Sequence, residues 1–238
     1  MKTNNLEIKS LVNELVATTR NLFSEKCTAI YAMGSLARGG FSELVSDIDI
    51  GIILEGSFDG VDKKINQIHS QVVKNNPSVS NDVSIFWGSV DSINGVIDSG
   101  RYPPFDRLDL IDHALLLWGQ DNRQELVRPS IKELEIASAE FAIEYLGSSV
   151  SVDEFHNCKT IAEKGTVHVT KIILYPARFI YLAKTFSIAG NEESYKFYKE
   201  NFKGSDVELI EQGYLWRYEA MPNDLDFVTR QLESGLIS

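Results

Sequence analysis

Cysteine and long apolar runs are scarce in this sequence, and each scarcity excludes a class of protein. The 238 residues include only Cys27 and Cys158, which provide neither a disulfide framework nor the spacing of a metal-binding motif. No apolar run approaches the ~20 residues that cross a bilayer, and the first ten residues lack the apolar core of a signal peptide. We therefore expect a protein of the reducing cytoplasm without membrane association.

Basic residues are also fewer than acidic residues. Lys and Arg number 23 against 34 Asp and Glu, which gives a formal net charge of −11. Binding to long nucleic acids relies on Lys and Arg that neutralise phosphates, so this balance argues against a nucleic-acid partner. An acidic surface would attract cationic small molecules by long-range steering, although the acidity could equally serve solubility alone.

The most informative segment spans residues 34–54. A Gly-Ser pair, Gly34 and Ser35, follows one apolar stretch, and after a spacer of eleven residues Asp47 and Asp49 open a second apolar stretch. Alternate side chains of a strand share a face, so the two aspartates would point the same way while the isoleucines beside them face the core.

This combination of residues favours chemistry on phosphates. Two neighbouring carboxylates resist ionising together unless a cation lies between them, and Mg²⁺ prefers oxygen ligands and shares its shell with substrate phosphates. Glycine lets the backbone approach a phosphate closely, and the following residues can offer helix N-terminal amides to the anion. Within the spacer, Arg38 could contact phosphate or simply be exposed. The alternative is an ordinary turn followed by a strand with two surface aspartates.

Metal-assisted transfer needs a third acid, which completes the second metal's shell or accepts the proton of the attacking hydroxyl. Asp82 is the candidate because it begins the next predicted strand, although it could merely end the preceding turn. Three further aspartates could hold a cationic substrate, and helix-start or loop positions explain them equally well: Asp106, Asp109 and Asp112.

Strand-like and helical segments alternate up to about residue 125, which predicts an α/β domain over residues 1–125. Helical periodicity then replaces the alternation and predicts a helical domain over residues 126–238. Strands are predicted at 27–33, 47–54, 82–87 and 114–118, and helices at 6–23, 35–41 and 61–74, with a loop containing Pro103 and Pro104. The helices predicted in the second half are 130–147, 153–186, 191–202, 205–218 and 222–234.

Basic and aromatic residues recur at helical spacing in the second half and would share one helix face. They could close over a nucleotide triphosphate or form a solvated face. Pro176 would strain a continuous helix at this point. The members of this stripe are Lys164, His168, Lys171, Tyr175 and Arg178.

The ordered run from the Gly-Ser pair to Asp-x-Asp resembles the DNA polymerase β nucleotidyltransferase superfamily. With the second half included, the chain resembles the aminoglycoside adenylyltransferases that modify streptomycin and spectinomycin, and three segments carry this resemblance: 34–54, 100–121 and 172–181. It implies an α+β fold, in which a nucleotidyltransferase-type mixed sheet with helices precedes an all-α helical bundle. It also implies ATP as co-substrate, Mg²⁺ as cofactor and transfer of AMP to a drug hydroxyl, which would be an antibiotic-resistance activity.

The resemblance also implies site residues. It gives metal-ligand roles to Asp47 and Asp49, and it places at Asp82 an acid, usually glutamate, that acts as base. The role of Asp82 as a further metal ligand is the alternative that the third-acid argument leaves open. Asn191 stands where the family commonly has a lysine, so another cation, such as Lys171 or Lys184, would serve the triphosphate. The resemblance implies a phosphate role for Gly34 and Ser35. Arg38 and Arg178 are the further candidates for nucleotide binding, from the spacer and the basic stripe.

Two other functions fit the same residues. One keeps the chemistry and changes the acceptor to a protein or an RNA end, as in nucleotidyltransferases of toxin–antitoxin systems, although the acidic charge argues against RNA. The other is a catalytically silent nucleotide-binding regulatory module, which the retained aspartates and Gly-Ser pair disfavour and Asn191 slightly favours.

Overall fold

The computed structural model describes residues 1–56, 59–79 and 81–236. The chain divides into two compact units. We call them the sheet unit, which comprises Met1–Phe41 and Asp47–Pro129, and the helical unit, which comprises Ser42–Ser46 and Ser130–Ser238. Among the described helices, none combines the length and the apolar character needed to span a membrane.

Within the described residues, the sheet unit contains one four-stranded sheet. Its strands are β1 Cys27–Ala32, β2 Ile48–Leu54, β3 Val83–Gly88 and β4 Leu115–Gly119. The strand order is β3–β2–β1–β4. Strand β1 is antiparallel to both β2 and β4, whereas β2 and β3 are parallel. The predicted mixed sheet is therefore confirmed, and each predicted strand end lies within one residue of the observed end.

The helices of the sheet unit follow local signals in the sequence. They are α1 Leu6–Phe23, α2 Gly34–Arg38, α3 Val61–Asn75, α4 Val90–Ile93 and α5 Pro104–His113. Helix α1 has the predicted bounds, and Asn5 caps it by accepting the backbone N–H of Glu7 and Ile8. The loop predicted around Pro103 and Pro104 is wrong, because Pro104 opens α5, a position where its missing N–H costs nothing.

Alternation along β2 divides its side chains between two cores. Ile48, Ile50 and Ile52 are fully buried in a core that also contains residues of α1 and α3. Ile53 belongs to a second core, which includes Leu110 of α5. Asp49 has the same parity as Ile53, so its side chain lies on the α5 side of the sheet.

The helical unit is all-α within the described residues, as predicted. Its helices are α6 Ile131–Phe141, α7 Ser149–His156, α8 Cys158–Glu163, α9 Thr166–Thr185, α10 Asn191–Asn201, α11 Ser205–Glu219 and α12 Leu225–Leu236. A π-helical segment, Ala142–Leu146, continues α6, and the five-residue segment Ser42–Ser46 also belongs to this unit.

The single helix predicted over residues 153–186 is wrong. Asn157 leaves helical geometry with φ −142° and ψ 78°, and Gly165 adopts φ +84°, so three helices replace one. Pro176 does not end α9, which continues through it from Thr166 to Thr185.

Candidate active site

The Gly-Ser turn lies directly against Asp49 of β2. The backbone N–H of Met33 donates to the carbonyl oxygen of Asp49 at 2.9 Å. Gly34 has φ +55°, and a Cβ atom at this residue would lie 2.2 Å from Oδ2 of Asp49. Only glycine combines this backbone conformation with so close an approach, so Gly34 brings the turn into contact with the carboxylate of Asp49.

The predicted acids lie at the start of the parallel strands β2 and β3. Asp47 and Asp49 are half-buried, and Ile48 between them is fully buried, as strand alternation requires. Strands β2 and β3 pair Ile48 with Val83, and the N–H of Ile48 donates to the carbonyl oxygen of Asp82 at 2.7 Å. Asp47 and the exposed Asp82 are the residues that directly precede this first pair of the register.

The donor chemistry of this pair suits Mg²⁺, because the ion is commonly held by one or two carboxylates together with substrate phosphates. Asp47 and Asp49 supply two such carboxylates, and that of Asp49 lies at the Gly34 turn. Residues 1–56, 59–79 and 81–236 contain no group of three or more His, Cys, Asp or Glu side chains that could hold a metal ion. Asp82 is therefore not gathered with the pair into a three-acid cluster, and its role as metal ligand stays a prediction.

Asp109 of α5 holds the Gly-Ser turn from the other side. Its Oδ2 accepts the N–H of Gly34 at 2.8 Å, and its Oδ1 forms an ion pair with the guanidinium of Arg38. Asp109 is buried, with 7% of its side chain exposed, and Arg38 is 12% exposed. Arg38, predicted to contact phosphate, thus neutralises a buried carboxylate, and the N–H of Gly34 is engaged within the sheet unit.

Two of the three aspartates considered for a cationic substrate have basic partners within the sheet unit. Asp109 pairs with Arg38, and Asp112 forms an ion pair with Arg128 at 2.5 Å. The helix-start explanation applies to Asp106, which lies in the first turn of α5. Helix geometry therefore accounts for Asp106, and ion pairing accounts for the other two.

The basic stripe of the second half does not lie on one helix. Lys164 precedes α9, and both Lys164 and His168 contact the buried Glu154, the latter at 3.1 Å. Burial alone would raise the pKa of Glu154, but the hydrogen bonds from these two partners outweigh it and lower that pKa. We conclude that Lys164 and His168 compensate a buried acid of the helical unit.

Arg178, one of the two stripe members predicted to bind nucleotide, lies beside an aromatic ring of the helical unit. The guanidinium carbon of Arg178 lies 5.7 Å from the ring centre of Tyr175. Burial and Tyr175 raise the pKa of Tyr145, while the charge of Lys171 lowers it in part. The packed rings are Phe141, Tyr145, Tyr175 and Phe179.

A residue that sequence reasoning missed, Arg217 of α11, anchors part of the motif spacer in the helical unit. Nη2 of Arg217 donates to Oγ of Ser46 at 3.1 Å, and the hydroxyl of Ser42 donates to the carbonyl oxygen of Arg217. Arg217 is 6% exposed, and burial lowers its pKa. No local pattern marks this role, because the serines and the arginine are more than 170 residues apart in sequence.

Residues 13–92 match the family model described as a nucleotidyltransferase domain. This chain contains a nucleotidyltransferase domain. The predictions of the superfamily and of a nucleotidyltransferase enzyme are thereby confirmed. Gly34, Asp47, Asp49 and Asp82 lie within the matched residues of the nucleotidyltransferase domain, whereas Asp109 lies beyond them.

One of the matching solved structures shares this fold along nearly the whole chain. The spectinomycin adenyltransferase AAD(9) from Enterococcus faecialis, described with ATP and spectinomycin, aligns over 97% of this chain and 99% of its own, with 12% identity and a TM-score of 0.66. A toxin–antitoxin structure with AMP-PNP aligns over 55% of this chain and 89% of its own at 19% identity, but its TM-score of 0.33 supports no conclusion. No curated protein sequence matches the chain.

Replacing Gly34 with alanine is expected to disturb both the nucleotidyltransferase domain's stability and its nucleotide affinity. The left-handed backbone costs a non-glycine residue about 1–2 kcal/mol. The new Cβ atom would also displace the carboxylate of Asp49, because its ideal position lies 2.2 Å from Oδ2 of Asp49. Urea unfolding and calorimetry with ATP and Mg²⁺ would measure the two effects.

Gly95→Ala is the matched control, since Gly95 has φ +75° and nothing within 4 Å of an added Cβ atom. It should lose stability through the backbone alone and keep nucleotide affinity. Equal affinities in the two variants would contradict the contact between Gly34 and Asp49 as a determinant of the site.

Proposed function

We propose that this protein transfers AMP from ATP to a hydroxyl group of a small molecule, in a reaction that depends on Mg²⁺. The observation that carries the proposal is the contact between the left-handed Gly34 turn and the carboxylate of Asp49. A turn without a Cβ atom beside paired aspartates accommodates a phosphate group close to two carboxylates.

Asp47 and Asp49 are the residues that would hold Mg²⁺. When bound, the ion would screen the negative charge of the phosphates from the two carboxylates. The remaining contributions come from the chain itself. Gly34, whose N–H is donated to Asp109, would let the phosphates approach closely, and the backbone at Ser35 would receive them. Cationic side chains such as Lys171 and Arg178 would neutralise the triphosphate. The assignments of Lys171 and Arg178 rest on the resemblance to the adenylyltransferases.

In the proposed reaction an acceptor oxygen attacks the α-phosphorus of ATP, the new O–P bond forms, and the bond to pyrophosphate breaks. The hydroxyl proton passes to a carboxylate oxygen of Asp82. Two observations support Asp82 in this role: its exposure to solvent and its position directly before Val83, which pairs with the residue that follows Asp47. A positioned proton acceptor contributes roughly 10²–10⁴-fold to such a step.

For the acceptor, we propose a hydroxylated cationic molecule of the aminoglycoside class. The support is the shared fold along 97% of the chain with a protein described with spectinomycin and ATP, together with the net charge of −11, which steers cations toward the protein.

The direct test is to incubate the protein with ATP, Mg²⁺ and each member of a panel of aminoglycosides and spectinomycin. Release of pyrophosphate and an acceptor heavier by one adenylyl group are expected with at least one compound. Labelling of a protein or RNA instead would transfer the proposal to that acceptor, and the absence of any transfer would favour a silent binding module.

ATP binding is expected to require a divalent metal ion. Without the ion, the negatively charged triphosphate would face the paired carboxyl groups of Asp47 and Asp49, and like-charge repulsion disfavours binding. Isothermal titration with ATP in Mg²⁺ and in excess EDTA measures the difference, and we expect a loss of at least about tenfold in affinity, equivalent to about 1.4 kcal/mol. Equal affinities would indicate a nucleotide site elsewhere.

A further inference from the structure

The carboxylate of Asp109 performs two separable tasks in the sheet unit. Its Oδ2 accepts the backbone N–H of Gly34 at 2.8 Å, and its Oδ1 pairs with the guanidinium of Arg38. These atoms come from segments 71 to 75 residues apart, α5 and α2. One task fixes the backbone of the turn, and the other balances the charge of a buried acid.

The first task reaches the proposed metal ligand. Gly34 lies between two carboxylates, with Asp109 on its N–H and Asp49 against its α carbon. Because the N–H of Gly34 belongs to the peptide group that joins Met33 to Gly34, its hydrogen bond to Asp109 fixes the orientation of that peptide. Loss of this bond would free the glycine to move relative to Asp49.

Two successive backbone donors tie the turn to its neighbours in the sheet unit. The N–H of Met33 donates to the carbonyl oxygen of Asp49 in β2, and the N–H of Gly34 donates to the carboxylate of Asp109 in α5. Only the second of these two bonds has a side-chain acceptor. A substitution at Asp109 can therefore remove it while the backbone bond to β2 remains.

We propose that Asp109 is a positioning residue for the Gly-Ser turn, and that Arg38 serves as its counter-ion and not as a phosphate ligand. This inference rests on the proposed nucleotidyl transfer. Asp109 touches neither substrate nor metal in this scheme, and it acts through the N–H of Gly34 on the distance between the turn and Asp49.

Two double variants separate the hydrogen bond from the charge. Arg38→Gln with Asp109→Asn removes both charges and keeps an amide oxygen that can accept the N–H of Gly34. Arg38→Gln with Asp109→Leu removes both charges and the acceptor. Both avoid leaving one buried charge without its partner, which is the change that most endangers folding.

The matched control is Arg128→Gln with Asp112→Asn. It removes the other ion pair of α5, three residues further along the helix and with Arg128 54% exposed. Its turnover should equal that of the wild type, because neither residue contacts the turn in the proposed scheme.

The measurements are single-turnover rate, affinity for ATP with Mg²⁺, and hydrogen exchange of the Gly34 amide. The asparagine variant should keep all three near their wild-type values. The leucine variant should lose protection of the Gly34 amide and about 10²-fold in single-turnover rate, the typical effect of a small misplacement in a site.

Three results would overturn the inference: equal rates in the two double variants, an equal loss of ATP affinity in both, which would make Arg38 a phosphate ligand, or an unprotected Gly34 amide in the wild type. If the wild type transfers nothing to any acceptor, the proposed function fails instead. Hydrogen exchange of the Gly34 amide and ATP affinity then still decide whether Asp109 positions the Gly-Ser turn.

Discussion

Replacing Asp49 with asparagine is expected to reduce nucleotidyl transfer by roughly 10³-fold or more, since a bound metal ion supplies several kcal/mol of charge stabilisation and about 1.4 kcal/mol corresponds to a factor of ten. Asparagine has nearly the same shape as aspartate, so the contact with Gly34 and the fold should remain. Removal of one of two neighbouring negative charges should also raise the melting temperature of the metal-free protein. Asp47→Asn should act in the same direction.

Pyrophosphate release under saturating Mg²⁺ and thermal unfolding without metal are the two measurements. Asp62→Asn, at an exposed aspartate in the first turn of α3, is the control and should leave turnover unchanged. Near wild-type turnover in both Asp47→Asn and Asp49→Asn would refute the metal-ligand assignment.

The second large effect is expected from Asp82→Ala. If Asp82 accepts the proton of the acceptor hydroxyl, its removal should slow the chemical step by roughly 10²–10⁴-fold. ATP affinity should fall less than in Asp47→Asn, because the paired aspartates still hold the nucleotide's metal. Asp82 is exposed, so the free energy of unfolding should change by no more than about 0.5 kcal/mol.

ATP affinity and single-turnover rate, measured on the same variant, separate three roles for Asp82. A metal ligand would lose affinity and rate together, whereas a residue that only ends a turn would keep its rate per folded molecule. Asp82→Glu should retain most of the rate if the carboxylate is the base, because the longer side chain keeps the acceptor. An unaltered rate in Asp82→Ala would remove Asp82 from the site.

Local patterns of the sequence were sufficient to predict the helix and the strands that surround the site. The bounds of α1 and the strands β1 to β4 follow from short-range periodicity, because side-chain alternation and helical spacing express themselves within a few residues. The same periodicity placed Asp47 and Asp49 on one face and buried Ile48 between them. The order of Gly-Ser and Asp-x-Asp was likewise enough to indicate a nucleotidyltransferase domain.

Only the tertiary structure decided which charges pair with which. Arg38 lies within the motif and Asp109 lies 71 residues away, and no spacing relates them. Asp109 stands between Leu108 and Leu110, both fully buried, which signals a buried acid but not its partner. The choice of Arg38 and Gly34 as its contacts depends on the packing of α5 against α2, which long-range chain geometry determines.

In the helical half too, local sequence patterns determine some features and the packing of distant segments determines others. Its helical character follows from amphipathic periodicity, but the breaks at Asn157 and Gly165 depend on backbone conformations that an otherwise continuous apolar pattern conceals. The assignment of Lys164 and His168 to Glu154 required the packing of separate helices. Periodicity determines which face of a helix is apolar, whereas the partner of each charge is determined only when the helices pack.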